Sequence, residues 1–477
     1  MLNRLRFGPR LHYLLAHLPH MLLGVALVLV FSRLVDAEEF GQYAKGFAYI
    51  NIAGALLYGW LQISLLRLAE GKENNAGPRF GTILLAIILP IAPCFLLAAL
   101  FDWFDLIAYP LAAASAAVAY GSSICLSQYA RGINNARLYG LLGATRLLVV
   151  FVSAYVLTQY IPNAASLLYA LAAGGVAATL MGVIFITLTS SKNLPPTAVA
   201  PRHETKSVSL NDLFRYGAPA SLSLVTVMLL IHGDRFIIGL LMSDAETAYY
   251  SAQADLARQM IYPIIAALSI SLVPQALKKN REQGIEIARK FVDKESTVTL
   301  NLILPILIML LVFGNDIMKI ILPTGYVDST TNIAALVAVG AFLTGCRLVR
   351  FDPLFHLDFK PSRIGFSALA GLLCWIVGIM PLITFYGTTG AACAGILSAM
   401  GALIYAYSTT VFNGITNPVL AKTTAIFCLL LIVPTLIAQQ VMTAIGGTTI
   451  VSLSLTIFIL YTFVLILFRW TTSREKQ

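Results

Sequence analysis

Long apolar stretches recur from one end of this chain to the other. About 20 apolar residues are enough to cross the hydrocarbon core of a bilayer, and about fourteen stretches of that kind can be recognised. Of the 477 residues 58% are hydrophobic and only 11% are charged, against roughly 25% charged in an ordinary soluble domain. In lipid a helix satisfies its own backbone hydrogen bonds, so the predicted fold class is an all-α polytopic membrane protein.

The basic start Met1–Arg10 and the apolar run behind it imitate a secretory signal peptide. The run is too long for one, so the segment is predicted to be the first transmembrane helix. In chain order the predicted spans are 11–34, 42–66, 80–101, 107–130, 139–160, 164–189, 213–242, 247–276, 296–314, 331–351, 362–385, 389–412, 421–439 and 448–469.

The distribution of basic residues supports an even number of spans. If both termini are cytoplasmic, 27 of the 32 Lys and Arg lie on or near the cytoplasmic side. The outer side then holds only Arg33, Lys45 and Lys319, and two cations, Arg235 and Arg258, lie within spans. Enrichment of Lys and Arg in cytoplasmic loops is the general rule for membrane proteins. Topology thus explains the net charge of +10, and nucleic acid is not an expected partner.

The two halves of the chain look like repeats. Glu39-Phe-Gly-Gln-Tyr-Ala44 resembles Glu246-Thr-Ala-Tyr-Tyr-Ser251 at an offset of 207 residues. Because six spans separate the two segments, both copies face the same way, which predicts a parallel pseudo-two-fold repeat around a central cleft. The predicted organisation is an N-terminal lobe 1–189, a cytoplasmic linker 190–212, a C-terminal lobe 213–412, and two further helices with a cytoplasmic tail, 413–477.

Charged residues inside two neighbouring spans are the strongest functional signal. Asp234 and Arg235 lie in one apolar stretch, and Asp255 and Arg258 lie in the next. Ionised groups at membrane depth are costly unless they are paired or line a wet cavity. One interpretation is a structural network in which Arg235 meets Asp255 and Arg258 meets Asp234. The other is a role in binding phosphate or protons, and the two are compatible.

The residues around this charged pair resemble a known family. The run from Asp234 to Leu241, the acidic turn after it and Ala248-Tyr-Tyr-Ser-Ala252 are similar to the second-lobe signature of polysaccharide transporters, and Glu39–Ala44 resembles their opening hairpin. These are the Wzx-like O-antigen and exopolysaccharide flippases of the multidrug/oligosaccharidyl-lipid/polysaccharide exporter superfamily. The resemblance implies two six-helix lobes plus two C-terminal helices. It also implies that Asp234 and Arg235 belong to the charged lining of a central cavity.

The same resemblance implies transport of an undecaprenyl-pyrophosphate-linked oligosaccharide to the periplasmic leaflet of the bacterial inner membrane, coupled to an ion gradient. The expected partners are this lipid-linked oligosaccharide (a polyprenyl diphosphate), the lipid bilayer, and polysaccharide polymerases or synthases. The candidate substrate-binding cations are Arg235, Arg258, His20, Lys45 and Arg33, with Asp234 and Asp255 as ion-coupling or salt-bridge partners.

Simpler roles exist for several of these residues. His20 could hydrogen-bond another helix, and Lys45 and Arg33 could extend to the membrane interface. A wall of inward-facing tyrosines and amides, including Tyr49 and Tyr58, could contact sugar. Residues 277–295 have the pattern of a basic amphipathic helix at the membrane surface.

Two other classes of function fit the sequence less well. A cation-coupled multidrug exporter of the same superfamily needs an acidic pocket, and the first lobe has no deeply placed acid. A membrane enzyme needs a large outer loop or a catalytic motif, and neither is present. The six cysteines are isolated from one another, with no metal-binding spacing. We therefore expect neither enzymatic activity nor a cofactor or metal.

Overall fold

The computed structural model describes residues 23–69, 78–133, 135–192, 208–327, 331–360 and 362–411. These ranges fold into α-helices with two short π-helical segments. In the described part of the chain, nine helices are long and apolar enough to cross a membrane. This confirms the all-α polytopic fold. The predicted spans 421–439 and 448–469, most of the linker 190–212 and His20 lie outside the described residues.

The chain separates into two compact units, Met1–Ser251 and Ala252–Gln477. The division into lobes at 1–189 and 213–412 stays a prediction. The helices that begin in the first unit are α1 Leu23–Leu34, α2 Ala37–Ala53, a π-helix Gly54–Tyr58, α3 Gly59–Leu68, α4 Phe80–Ile88, α5 Ile91–Trp103, α6 Pro110–Gly132, α7 Ala136–Tyr160, α8 Ala164–Lys192, α9 Leu210–His232, α10 Asp234–Leu241 and α11 Asp244–Gln283.

The second unit begins inside α11. It continues with α12 Ile285–Ile321, α13 Ile333–Cys346, a π-helix Arg347–Phe351, α14 Asp352–Leu357 and α15 Ser362–Val411. Gly387 has φ 59° and ψ −139° and breaks α15 into two helices. A positive φ of this kind is strained for residues with a Cβ, which explains why glycine occupies this turn. The break lies between the predicted spans 362–385 and 389–412.

The prediction of one amphipathic helix over 277–295 is wrong, whereas the place of this segment at the membrane surface stays a prediction. Helix α11 continues through Pro274 as far as Gln283, and α12 starts two residues later. Gly284, at φ 90°, reverses the chain between them. The two helix ends pack against α14 through a small core of Ala276, Ala288, Val292, Leu354 and Leu357. Part of the apolar surface of this segment is therefore buried within the protein.

The sequence repeat is visible in how two helices begin. The side chain of Asp36 caps α2 by accepting from the Glu39 backbone N–H at 2.9 Å. The hydroxyl of Ser243 accepts in the same way from the Glu246 N–H at 3.1 Å at the start of α11. Capping side chains of this type satisfy N–H groups that the first turn leaves free. Both helices therefore start at the offset of 207 residues seen in the sequence.

Candidate functional site

Within the first unit, α9 and α10 pack against α2 and α3 so closely that backbones touch. We call this contact the seam. A Cβ on Gly217 of α9 would lie 1.9 Å from the Trp60 carbonyl oxygen of α3. Near the other end, a Cβ on Gly41 of α2 would lie 1.8 Å from the Asp244 carbonyl oxygen. Only glycine is compatible with approaches this short, so both ends of the seam depend on a missing side chain.

Asp234 begins α10 immediately after the helix break at Gly233. Its carboxylate is buried, with 2% of the residue exposed. The hydroxyl of Tyr250 donates to Asp234 Oδ2 at 2.5 Å. Hydrogen bonds to a buried carboxylate are about twice as strong as neutral ones. Tyr250 therefore ties the start of α11 to the charged residue at the start of α10.

Arg235 is among the most completely buried large side chains of the described residues, at 1% exposure. Its Nη1 donates to the Ala44 carbonyl oxygen of α2 at 3.3 Å. Its guanidinium carbon lies 5.9 Å from the centre of the Phe47 ring, and that ring also meets His232 edge-on. In this conformation Arg235 is part of the seam and is closed off from solvent.

Lys45 and Asp244 form an ion pair at one end of the seam, with 2.6 Å between Nζ and Oδ1. Their side chains are 9% and 19% exposed. Gly239 of α10 allows the lysine chain to pass, because a Cβ there would lie 2.9 Å from Lys45 Cδ. The lysine head group is therefore held by Asp244, and its place relative to the membrane interface stays a prediction. Arg33, in contrast, is exposed and donates to the Leu29 carbonyl oxygen of its own helix.

The second charged pair has the geometry that its spacing predicts. Arg258 Nη1 lies 3.8 Å from Asp255 Oδ1, one helical turn away on α11. The arginine side chain is 12% exposed and that of the aspartate is 19% exposed. At this distance the contact is loose. Both residues belong to the second unit, and their pairing with Asp234 and Arg235 stays a prediction.

Glu39 of the repeated motif joins three elements of the first unit. One carboxylate oxygen accepts from the Ala164 N–H at 2.7 Å, at the start of α8. The hydroxyl of Tyr109 lies 3.4 Å from both carboxylate oxygens. Burial, and then the negative charge of Glu39, raise the pKa of Tyr109 above its ordinary value. The helix N-terminus attracts the carboxylate, so the role visible for Glu39 is to hold helices together.

Arg146 is a buried cation that the sequence interpretation missed. It lies ten residues into α7, which is a depth of about 15 Å at 1.5 Å per residue. It is 4% exposed. Its Nη1 donates to Ser123 Oγ at 3.3 Å, and its guanidinium lies 4.8 Å from the centre of the Tyr120 ring. Its position inside the predicted span 139–160 could have identified it as a cation within the membrane. The charge count instead assigned it to the cytoplasmic loops.

The chain around Arg146 offers no acid to neutralise it. From Leu106 to His203 the sequence contains no Asp or Glu. Among the described residues, the buried Nε of Arg146 has no hydrogen-bond partner. A buried charge without a counter-ion costs several kcal/mol. Within the described part of the chain, the Ser123 hydroxyl and the Tyr120 ring hold this guanidinium, and it forms no ion pair with a carboxylate.

The prediction of a sugar-facing wall is wrong for Tyr49 and Tyr58. Both are fully buried. The Tyr49 hydroxyl donates to the Cys94 carbonyl oxygen, and the Tyr58 hydroxyl donates to that of Ile87 at 3.3 Å. These bonds fasten α2 and its π-helix to α4 and α5.

Several cations assigned to cytoplasmic loops form ion pairs in the second unit. Arg350 of the π-helix pairs with Asp293 of α12 at 3.3 Å. Arg289 of α12 pairs with Asp358, just after α14, at 3.0 Å. Arg347 of the π-helix lies 3.9 Å from Asp352 at the start of α14. Among the described residues, no cluster of three or more His, Cys, Asp or Glu could hold a metal ion.

A family model described as "Polysaccharide biosynthesis protein" matches residues 30–331 of the chain. The chain belongs to this family. A curated relative from Shigella flexneri, named "Putative O-antigen transporter", is 23% identical over 186 residues, which is 38% of this chain. The match spans about two fifths (42%) of that relative's length.

Solved structures show the fold that this member of the polysaccharide biosynthesis family adopts. A structure of the lipid II flippase MurJ in an inward closed conformation matches with a TM-score of 0.65 and 14% identity, over 96% of this chain and 99% of that one. An inward-facing multidrug resistance transporter of the MATE family matches with a TM-score of 0.54 and 14% identity, over 86% and 96%. The chain therefore has the fold of the MOP superfamily, to which that second protein belongs.

Proposed function

We propose that this protein is a flippase for an undecaprenyl-pyrophosphate-linked oligosaccharide repeat unit. It carries that unit from the cytoplasmic to the periplasmic leaflet of the bacterial inner membrane by alternating access, driven by an ion gradient. Family membership, the O-antigen transporter relative and the MurJ-like fold support this proposal. Both termini lie in the cytoplasm, and the polymerase or synthase that uses the product is the expected partner.

The observation that carries the proposal is the presence of buried arginines inside apolar helices. The substrate presents a diphosphate and hydrated sugars that must cross about 30 Å of hydrocarbon. Arginine keeps its charge and donates parallel hydrogen bonds to phosphate. Arg146 and Arg235, at 4% and 1% exposure, are the cations that the described helices bury most deeply.

The three arginines have different roles in the proposed cycle. Helix α7, which carries Arg146, and its neighbours α6 and α8 contain no Asp or Glu, so an anionic substrate group supplies the missing negative charge. Arg258 is loosely paired with Asp255 at 3.8 Å, so a phosphate can displace the carboxylate. Arg235 is sealed in the present conformation and meets substrate only after the seam opens. Asp234 and Asp255 remain the candidates for ion coupling or for holding the arginines between cycles.

A reconstituted assay tests the proposal. Proteoliposomes contain a fluorescent polyprenyl-diphosphate disaccharide, and a membrane-impermeant quencher reports how much lipid has changed leaflet. The wild type accelerates this movement, whereas Arg235→Gln abolishes it at equal protein abundance. Lys319→Gln, which removes an exposed cation from the last turn of α12, is the matched control and retains activity. If wild-type protein leaves the leaflet distribution unchanged, the proposed function is wrong.

A cation-coupled multidrug exporter is the second candidate, and the match to a MATE transporter favours it. Such a pocket needs buried acids to attract cationic drugs. The stretch from Leu106 to His203 lacks any acid and buries Arg146 instead. Uptake of a cationic dye by the same proteoliposomes, with no movement of the diphosphate lipid, would establish the exporter.

A further inference from the structure

Helix α10 is short and packs against α2 at one end of the seam. This is the end where Asp36 caps α2 and Ser243 caps α11. Helix α10 has eight residues and is separated from α9 at Gly233. Its own Gly239 and the Asp244 that follows both contact Lys45. The close approach at Gly41 brings the Asp244 backbone against α2. The Lys45–Asp244 ion pair and the backbone contact at Gly41 therefore both join Asp244 to α2.

The fastening has a consequence for Arg235. Its guanidinium reaches the Ala44 carbonyl oxygen only because α10 lies flat against α2. Lys45 is the next residue along α2, so the ion pair and this hydrogen bond hold adjacent positions of one helix. If α10 leaves α2, both contacts break together and the arginine becomes exposed.

The Lys45–Asp244 pair is strong enough to hold a conformation and weak enough to release it. Both side chains are largely shielded from water, at 9% and 19% exposure, so the attraction exceeds that of a surface pair. Both retain some exposure, so each charge can be hydrated when the pair breaks and avoids the full cost of a buried unpaired ion.

We infer that the Lys45–Asp244 ion pair is a latch that keeps the outer end of the seam closed and Arg235 concealed. The inference rests on the proposed function, because a flippase must open toward the outer leaflet to release its substrate. The charge pattern that assigns Lys45 to the outer side gives the latch its orientation. Breaking the pair opens the outer side even when no substrate is bound.

Thiol accessibility tests the latch without any substrate. The six native cysteines are replaced by alanine, and Ala44→Cys places a reporter at a seam position that is 1% exposed. A membrane-impermeant maleimide is applied from the outside. Asp244→Asn and Lys45→Gln each raise the labelling rate by about tenfold, the factor for losing a partly shielded ion pair. The matched control Lys319→Gln leaves the rate unchanged.

A charge exchange separates the latch from simple misfolding. Lys45→Asp combined with Asp244→Lys restores slow labelling, whereas each reversal alone labels fast. Unchanged labelling in both neutral single variants overturns the latch, and so does fast labelling in the double exchange. Bridging Lys45→Cys to Asp244→Cys with a short thiol-reactive cross-linker abolishes movement of the diphosphate lipid until the bridge is reduced. If wild-type protein moves no such lipid yet the labelling results hold, the latch stands and only the proposed substrate is wrong.

Discussion

Replacing Gly217 with alanine tests the claim that the seam depends on backbone contact. The added Cβ would lie 1.9 Å from the Trp60 carbonyl oxygen and 2.5 Å from Ser64 Oγ, whereas real Cβ atoms essentially never approach closer than 3.0 Å. Helices α9 and α3 must therefore separate by about 1.1 Å, the difference between 3.0 and 1.9 Å. The 2.6 Å hydrogen bond from Ser64 Oγ to the Leu213 carbonyl oxygen then exceeds bonding distance.

The expected loss in the free energy of unfolding has two sources, the separation of α9 from α3 and the broken Ser64–Leu213 hydrogen bond. A gap of 0.5 to 1 Å removes about a quarter to a half of the dispersion attraction across a contact, and overpacking costs roughly 1–3 kcal/mol. The lost hydrogen bond adds about 1 kcal/mol. The higher helix propensity of alanine returns about 1 kcal/mol. Gly217→Ala should therefore lower stability by about 1–3 kcal/mol.

Thermal unfolding of the purified protein in detergent, followed with a thiol-reactive dye, measures this change. The apparent Tm should fall by about 1–3 °C, since the entropy of unfolding scales with chain length. Gly395→Ala is the matched control, because a Cβ on that helical glycine meets no atom within 4 Å. Its Tm should stay constant or rise slightly. Equal behaviour of the two variants would refute the close packing of α9 on α3.

Three further substitutions test other contacts. Tyr250→Phe removes the hydroxyl that donates to the buried Asp234 carboxylate and should cost about 1.5–3 kcal/mol, seen as a lower Tm with unchanged helix content by circular dichroism. Glu39→Gln weakens the cap on Ala164 and should cost about 0.5–1 kcal/mol, measured in the same melt; a rise in Tm would contradict the clamp. Arg146→Gln removes a buried cation from helices that contain no acid, so it should leave Tm unchanged or higher while lowering lipid translocation at least about tenfold; a lower Tm with normal translocation would show that Arg146 serves only the fold.

The sequence was sufficient for most of the described helices and for the contact within one charged pair. Hydropathy places most of the described spans within a few residues of the observed helices, because each helix must satisfy the same bilayer thickness. The i, i+3 spacing of Asp255 and Arg258 predicts their contact on one helix, which the structure confirms. These are local relations, and local sequence determines them.

Contacts between distant segments could not be obtained in the same way. Lys45 and Asp244 are almost 200 residues apart, and nothing local indicates that α10 lies against α2. The carbonyl oxygens that meet Gly41 and Gly217 have no signature in a single sequence. The basic pattern of 277–295 is compatible with one amphipathic helix or with the ends of two helices, and the structure has the second arrangement.

Arg146 shows a limit of charge counting. The residue lies in a predicted span. It is only nine residues from Arg137 in a basic loop, so a count of charges groups it with the cytoplasmic cations. Burial and the surrounding acid-free helices distinguish it, and both require the fold. Its guanidinium, which forms no ion pair within the described residues, is the feature on which the proposed binding of an anionic substrate rests.

The most direct test of that connection compares two substrates that differ by one phosphate. The same saccharide is attached to a polyprenyl diphosphate or to a polyprenyl monophosphate, and the rate of movement between leaflets is measured in proteoliposomes. Wild-type protein should move the diphosphate at least about tenfold faster, and Arg146→Gln should lose that preference. Equal rates for the two lipids in the wild type would contradict recognition of the diphosphate by buried arginines.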